Sequence, residues 1–188
     1  MKKYFVFICV LFVIFSGCVS NYNTISVKHD EFLGTTRYST ACEIKTSSIG
    51  MGVLEIFATN TPTIVTLGLE KIISSEKDTI FYISIFFSSH KWLFIQEGES
   101  LILLVDGESI KLFGTGSTDH RDVTSLLSSV RVNEQSMYPV TPELIKKISL
   151  ASNVRLKIIG KNESITGEFT DQCFTNFKKF IEEAIETP

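Results

Sequence analysis

From Arg37 onward the chain alternates. Tyr38, Thr40, Cys42 and Ile44 take every second position between Arg37 and Lys45, the period of a strand with one face on a core. Val53 to Thr59 and Thr63 to Leu69 are further β-rich runs, and Asn60-Thr61-Pro62 between them reads as a turn. Thr79 to Phe87 is apolar on both faces, which predicts a central strand covered on each side, with Trp92 to Ile95 following as a short strand. Leu101 to Val105 and Ser109 to Phe113 flank Asp106-Gly107, the best hairpin signal in the chain, because this pair tolerates the positive φ angles of a tight turn. Val130 and Val132 alternate with Arg131 and Asn133 in a last stretch before the pattern changes.

The C-terminal third is mixed. Thr141-Pro142-Glu143 has the form of a helix start: a capping hydroxyl, a proline at the first helical position and an acid in the first turn. Leu144, Ile145, Ile148 and Ala151 then form an apolar stripe at helical spacing. Val154, Leu156 and Ile158 alternate with Arg155 and Lys157, and a turn over Gly160 to Glu163 leads into Ser164 to Glu168, a second hairpin. A closing helix is predicted from Thr170 or Asp171 to Ile185. It places Cys173, Phe174, Phe177, Phe180, Ile181 and Ala184 on one face, opposite Lys178, Lys179, Glu182 and Glu183. This order of elements predicts an α+β fold, an antiparallel β-meander sheet with two C-terminal helices packed on it. No repeat or low-complexity block interrupts it, so residues 30–188 are expected to form a single domain.

The N-terminus follows another logic. Lys2 and Lys3 precede an uncharged apolar run from Tyr4 to Phe15, and the small residues Ser16 and Gly17 lead to Cys18. These are the parts of an export signal. The run is about a dozen residues, short of the roughly 20 that span a bilayer. Phe15-Ser16-Gly17-Cys18 resembles the bacterial lipobox, with Phe15 where that pattern prefers Leu, Val or Ile. The resemblance implies cleavage before Cys18 and its modification by diacylglycerol and further acylation such as palmitate, more than one chain being needed for a stable anchor. It divides the chain into a signal peptide (1–17), a lipidated tether (18–29) and the domain. It also implies a place in the cell envelope, on the outer membrane in a Gram-negative cell, since Val19 stands where an Asp would favour the inner one. The domain itself looks like those of uncharacterised bacterial envelope lipoproteins over roughly residues 79–185. The likeness lies in the Trp92-Leu-Phe-Ile segment, the strand ending at Asp106-Gly107, the Thr-Pro helix, the Val-Arg-Leu strand and the Phe-rich closing helix. It implies no activity.

Charge narrows the partners. Losing Lys2 and Lys3 takes the basic count from 18 to 16 against 21 acids, a poor match for nucleic acid, which needs clustered Lys and Arg. Of the 4 cysteines, Cys9 leaves with the signal and Cys18 carries lipid. Cys42 and Cys173 remain. In an oxidising envelope they read as one disulfide, worth about 4–5 kcal/mol in the chain-entropy model, and equally as two small buried apolar residues. Neither has the CxxC spacing of a zinc site, and no metal or cofactor is expected.

Catalytic signals are weak. His120 lies in Thr118-Asp119-His120-Arg121-Asp122, two carboxylates around an imidazole, but neighbours on an extended chain point in opposite directions. His29 and His90 have no evident triad partners. Gly114-Thr115-Gly116-Ser117 lacks the third glycine and following lysine of phosphate-cradling loops and reads as a hairpin exit. Asn162-Glu163-Ser164 is a glycosylation sequon of little weight in a bacterial chain. The expectation is therefore a membrane-anchored, non-catalytic binding or interaction module facing an envelope protein or ligand. The alternative is a carrier of lipid or another small apolar ligand, for which the abundance of phenylalanine, 15 in all, is the argument.

Overall fold

Two hairpins and a strand that changes sheets organise the N-terminal half. The computed structural model describes residues 24–47, 63–122, 131–161 and 163–186, with residues 118–122 as backbone. Cys18, the expected strand over 53–59, Val130 and Asn162 lie outside them. β1 (Ser26–Asp30) pairs antiparallel with β2 (Thr35–Glu43), so residues 26–29 join the folded domain where the sequence predicts tether. Every residue of β1 is exposed, and a strand with neither face buried leaves no alternation to read. At Ile44 the chain still donates its N–H to Val65 O, 2.9 Å, and then enters β3 (Lys45–Ser47) in another sheet.

The remaining elements are β4 (Ile64–Ile73), β5 (Thr79–Ser89), β6 (Glu97–Val105), β7 (Glu108–Thr115), β8 (Thr118–Asp122), β9 (Arg131–Val140), α1 (Pro142–Leu150), β10 (Val154–Ile159), β11 (Ser164–Glu168) and α2 (Asp171–Phe180), which ends in a wider π turn over Ile181–Ile185. All ladders are antiparallel. One sheet has six strands in the order β1-β2-β4-β5-β9-β8, the other five in the order β3-β11-β10-β6-β7. The fold is α+β, with both C-terminal helices packed on antiparallel sheet. The strands divide between two sheets because β10 returns to pair with β6, outside the meander order.

The inner faces and the helices share one core. Val65, Leu67, Leu69, Ile83, Ile85 and Phe87 come from the six-stranded sheet; Leu101, Leu103, Val105, Val154, Leu156 and Ile158 come from the five-stranded one. Ile145 and Ile148 of α1 and Phe177 and Phe180 of α2 complete it. Each such side chain contributes about 1.5–3 kcal/mol by leaving water. α1 starts where its sequence predicts, with Thr141 Oγ1 accepting the Leu144 N–H at 3.3 Å and Pro142 at the first turn. Asp106-Gly107 forms the expected two-residue turn, with φ of 47° and 90°. The Asp106 carboxylate also accepts the Ser152 and Asn153 amides, tying this hairpin to the end of α1.

Two strand expectations are corrected. β5 is central, between β4 and β9, but is covered on one side: Ile80 and Phe86 on its other face are 48% and 40% exposed. Trp92 to Ile95 is an irregular loop with one β-bridge, Ile95 with Gly160, and with Lys161 N–H donating to Phe94 O and Ser117 N–H to Ile95 O, both 3.0 Å. The carboxylate of Glu134, fully buried on β9, accepts the N–H groups of Leu93 (2.5 Å), Phe94 (3.0 Å) and Ile95 (2.9 Å). Three successive amides turned towards one anion cannot also alternate across a ladder, and Phe94 takes a positive φ of 53°.

Candidate functional site

The uncovered face of the six-stranded sheet carries a depression built from small residues. In its ladders Glu70 of β4 stands between Ser39 of β2 and Tyr82 of β5, and Gly68 stands between Ala41 and Ser84. Side chains two apart on one strand share a face, so Gly68 and Glu70 meet Ser39, Ala41 and Ser84 on the outside of the sheet. With Ser26 of β1, Thr24 and Thr40, these residues line an open depression of about 290 Å³. Gly68 is required by a close approach: a Cβ there would lie 2.4 Å from Ser84 Oγ.

Glu70 is the charged residue of this floor and is only 8% exposed. Among the described residues its Oε2 is sealed from solvent and has no hydrogen-bond partner; Arg37 Nη1 stands 3.7 Å away, beyond hydrogen-bond range. Arg37 is itself more than half exposed, so this ion pair is weak and its partner exchangeable at small cost. A buried acceptor without a donor costs free energy, and a ligand O–H or N–H that displaced the exposed Arg37 to reach it would recover that cost. Serine hydroxyls around it add donors and acceptors. The outer face of β5 adds Tyr82, half-buried, and the exposed Ile80 and Phe86. The arrangement offers a carboxylate and hydroxyls over an apolar flank.

The residues singled out from sequence fall elsewhere. Cys42 of β2 and Cys173 of α2 are both buried and their sulfurs are joined, with Cα atoms 5.2 Å apart. Asn176 Nδ2 donates to Ala41 O (2.6 Å) and Thr170 Oγ1 to Glu43 O (3.3 Å), so α2 is fastened to β2 on both sides of the bridge. His120 stands opposite Asn133 in the β8–β9 ladder. His29 is exposed and its Nδ1 lies 3.1 Å from Thr36 Oγ1. His90 closes β5 with a buried Nδ1 that has no hydrogen-bond partner among the described residues. Gly114 and Thr115 are the last two residues of β7, and Gly116 after them takes a positive φ of 76°. The structure does not bring the three histidines to the Glu70 depression. Among the described residues no group of three or more His, Cys, Asp or Glu could hold a metal ion, and no helix is long and apolar enough to cross a membrane.

Glu70, Arg37, Ser39, Gly68 and Ser84 were not singled out from sequence. A signal was present: Gly68 and Glu70 interrupt the apolar run of β4, where a strand glycine marks close approach and a charge marks an open face. Comparison with protein-family models, with curated proteins and with solved structures finds no match.

Proposed function

We propose that this chain is a lipid-anchored protein of the cell envelope, tethered through Cys18, whose domain is a non-catalytic binding module. The ligand or partner group sits on the outer face of the six-stranded sheet and presents a hydrogen-bond donor to Glu70. One observation carries the location of the site: the Glu70 carboxylate, whose Oε2 has no hydrogen-bond partner among the described residues, lies at the floor of a depression on a sheet face that the described helices and the second sheet leave open, beside an exposed Arg37 that a ligand donor would displace. The lipobox-like segment supports the anchor, and the acidic balance of the mature chain argues against nucleic acid as the partner. Outer-membrane retention in a Gram-negative cell follows from Val19 after the lipidated cysteine.

A photo-cross-linking residue placed at Ser39 in intact cells tests the site. The expected result is a discrete adduct that Glu70→Gln diminishes at least severalfold, while the same probe at Lys111, on the outer face of the five-stranded sheet, yields none. No adduct at Ser39, or equal yields at both positions, overturns the site. Labelling with a palmitate analogue, lost in Cys18→Ala, tests the anchor separately.

A further inference from the structure

The β1–β2 hairpin ends in a turn whose two apolar residues face water. Phe32 is fully exposed and Leu33 is 67% exposed. The turn is not loose. Asp30 Oδ1 accepts the N–H groups of Phe32 (2.9 Å) and Leu33 (3.1 Å), a side-chain clasp that fixes the loop, and Gly34 supplies the positive φ of 61° that closes it. Gly34 rests against Ser75, where an added Cβ would come within 3.1 Å of the Ser75 Cβ. Ser75 belongs to a second tight turn, in which Lys77 N–H donates to Ser74 O at 3.0 Å. Two braced turns side by side thus hold an aromatic and an aliphatic side chain outward, at a cost in hydration that the fold does nothing to relieve.

The chain that precedes the hairpin says what can cover them. The eight steps from Cys18 to Ser26 reach at most about 27 Å when extended. β1 runs only about 14 Å from Ser26 to Asp30. A lipid on Cys18 therefore leaves the hairpin tip within reach of the surface that holds the lipid. The tip is convex and two residues wide, a shape that enters loosely packed lipid without needing a matching pocket. Its charged neighbours, Lys28, Asp30, Glu31, Glu76, Lys77 and Asp78, are acidic on balance, so attraction to anionic headgroups is not the driving term.

We infer that Phe32 and Leu33 form a second membrane contact, inserting into the lipid surface beside the acylated Cys18 and fixing the orientation of the domain. The inference rests on the proposed lipid anchor. Its test uses the full chain purified from membranes, carrying Phe32→Trp, reconstituted in phosphatidylcholine vesicles with bromine on the acyl chains. The parent chain, with Trp92 alone, supplies the background. Emission from the introduced indole should be quenched at least twofold by the brominated lipid, and no more strongly in vesicles containing phosphatidylglycerol. Leu33→Glu should abolish the quenching without changing thermal unfolding. An unquenched indole in chains whose N-terminal peptide shows acylated Cys18 by mass overturns the contact while leaving the anchor intact. Emission that is blue-shifted but unquenched also overturns it, and assigns the tip to a protein partner or a second copy. If the mass shows no acyl group, the anchor fails, and quenching of the Phe32→Trp chain on mixing with excess brominated vesicles still decides whether the tip enters lipid.

Discussion

The ring of Tyr138 lies against the backbone of Gly114. A Cβ built on Gly114 would stand 2.5 Å from Tyr138 Cε1, so the glycine lets β7 and β9 approach where the two sheets meet. The Tyr138 hydroxyl lies 3.0 Å from Ser100 Oγ, which ties β9 to β6 as well. Gly114→Ala should overpack this junction and lower stability by about 1–3 kcal/mol. Urea unfolding of Gly114→Ala, Tyr138→Leu and the double variant checks it, with the double variant less unstable than the sum of the two.

Tyr138 also couples the junction to pH. Burial pushes its phenol above the ordinary value of 10.0, and the hydroxyls of Ser100 and Ser136 offset only part of that. The folded domain holds this proton more tightly than the unfolded chain. Its contribution to stability is therefore full below the ordinary value and is lost as pH rises from there through the raised native value. Urea midpoints between neutral and strongly alkaline pH should fall more steeply for the parent than for Tyr138→Phe; parallel curves would contradict the assignment.

Glu134 gathers the amides of a loop whose carbonyls are held by Lys161 and Ser117 N–H groups. Glu134→Gln keeps one acceptor oxygen and turns an amide towards an N–H it cannot accept, which should cost about 2–3 kcal/mol. Hydrogen exchange at Leu93, Phe94 and Ile95 should accelerate together, while the β10–β11 amides change only through the global loss of stability.

The bridge between Cys42 and Cys173 spans 131 residues. Its loss should cost about 5 kcal/mol in the chain-entropy model. Paired Cys→Ser substitution, followed by denaturant midpoints, measures this. Thiol trapping before and after reduction should show two additional reactive cysteines only in the reduced, unfolded chain.

Local chemistry was legible in the sequence and distant pairing was not. Asp106-Gly107 dictates its own turn, and Thr141-Pro142 dictates a helix start, because the groups that decide each lie within three residues. β10 and α2 could be read from their periodicity, since each has one wet and one dry face. Trp92 to Ile95 misleads because the residue that claims its amides, Glu134, is about forty positions away. β5 looks covered on both sides because Ile80 and Phe86 are apolar, and nothing local tells whether another layer lies above them. The depression at Glu70 is likewise a product of register: Ser39, Gly68 and Ser84 become neighbours only once three strands are aligned.

Cys173 lies in the helix that follows β11 and Cys42 lies in β2, with every strand from β3 to β11 between them. A chain that emerges N-terminus first exposes Cys42 long before its partner exists outside the ribosome or export channel. The bond can close only after nearly the whole domain has appeared, so oxidation acts as a lock on a finished fold and cannot guide its early steps. Until then the Cys42 thiol lacks its native partner, and the speed of completion sets how long it stays open to the wrong one.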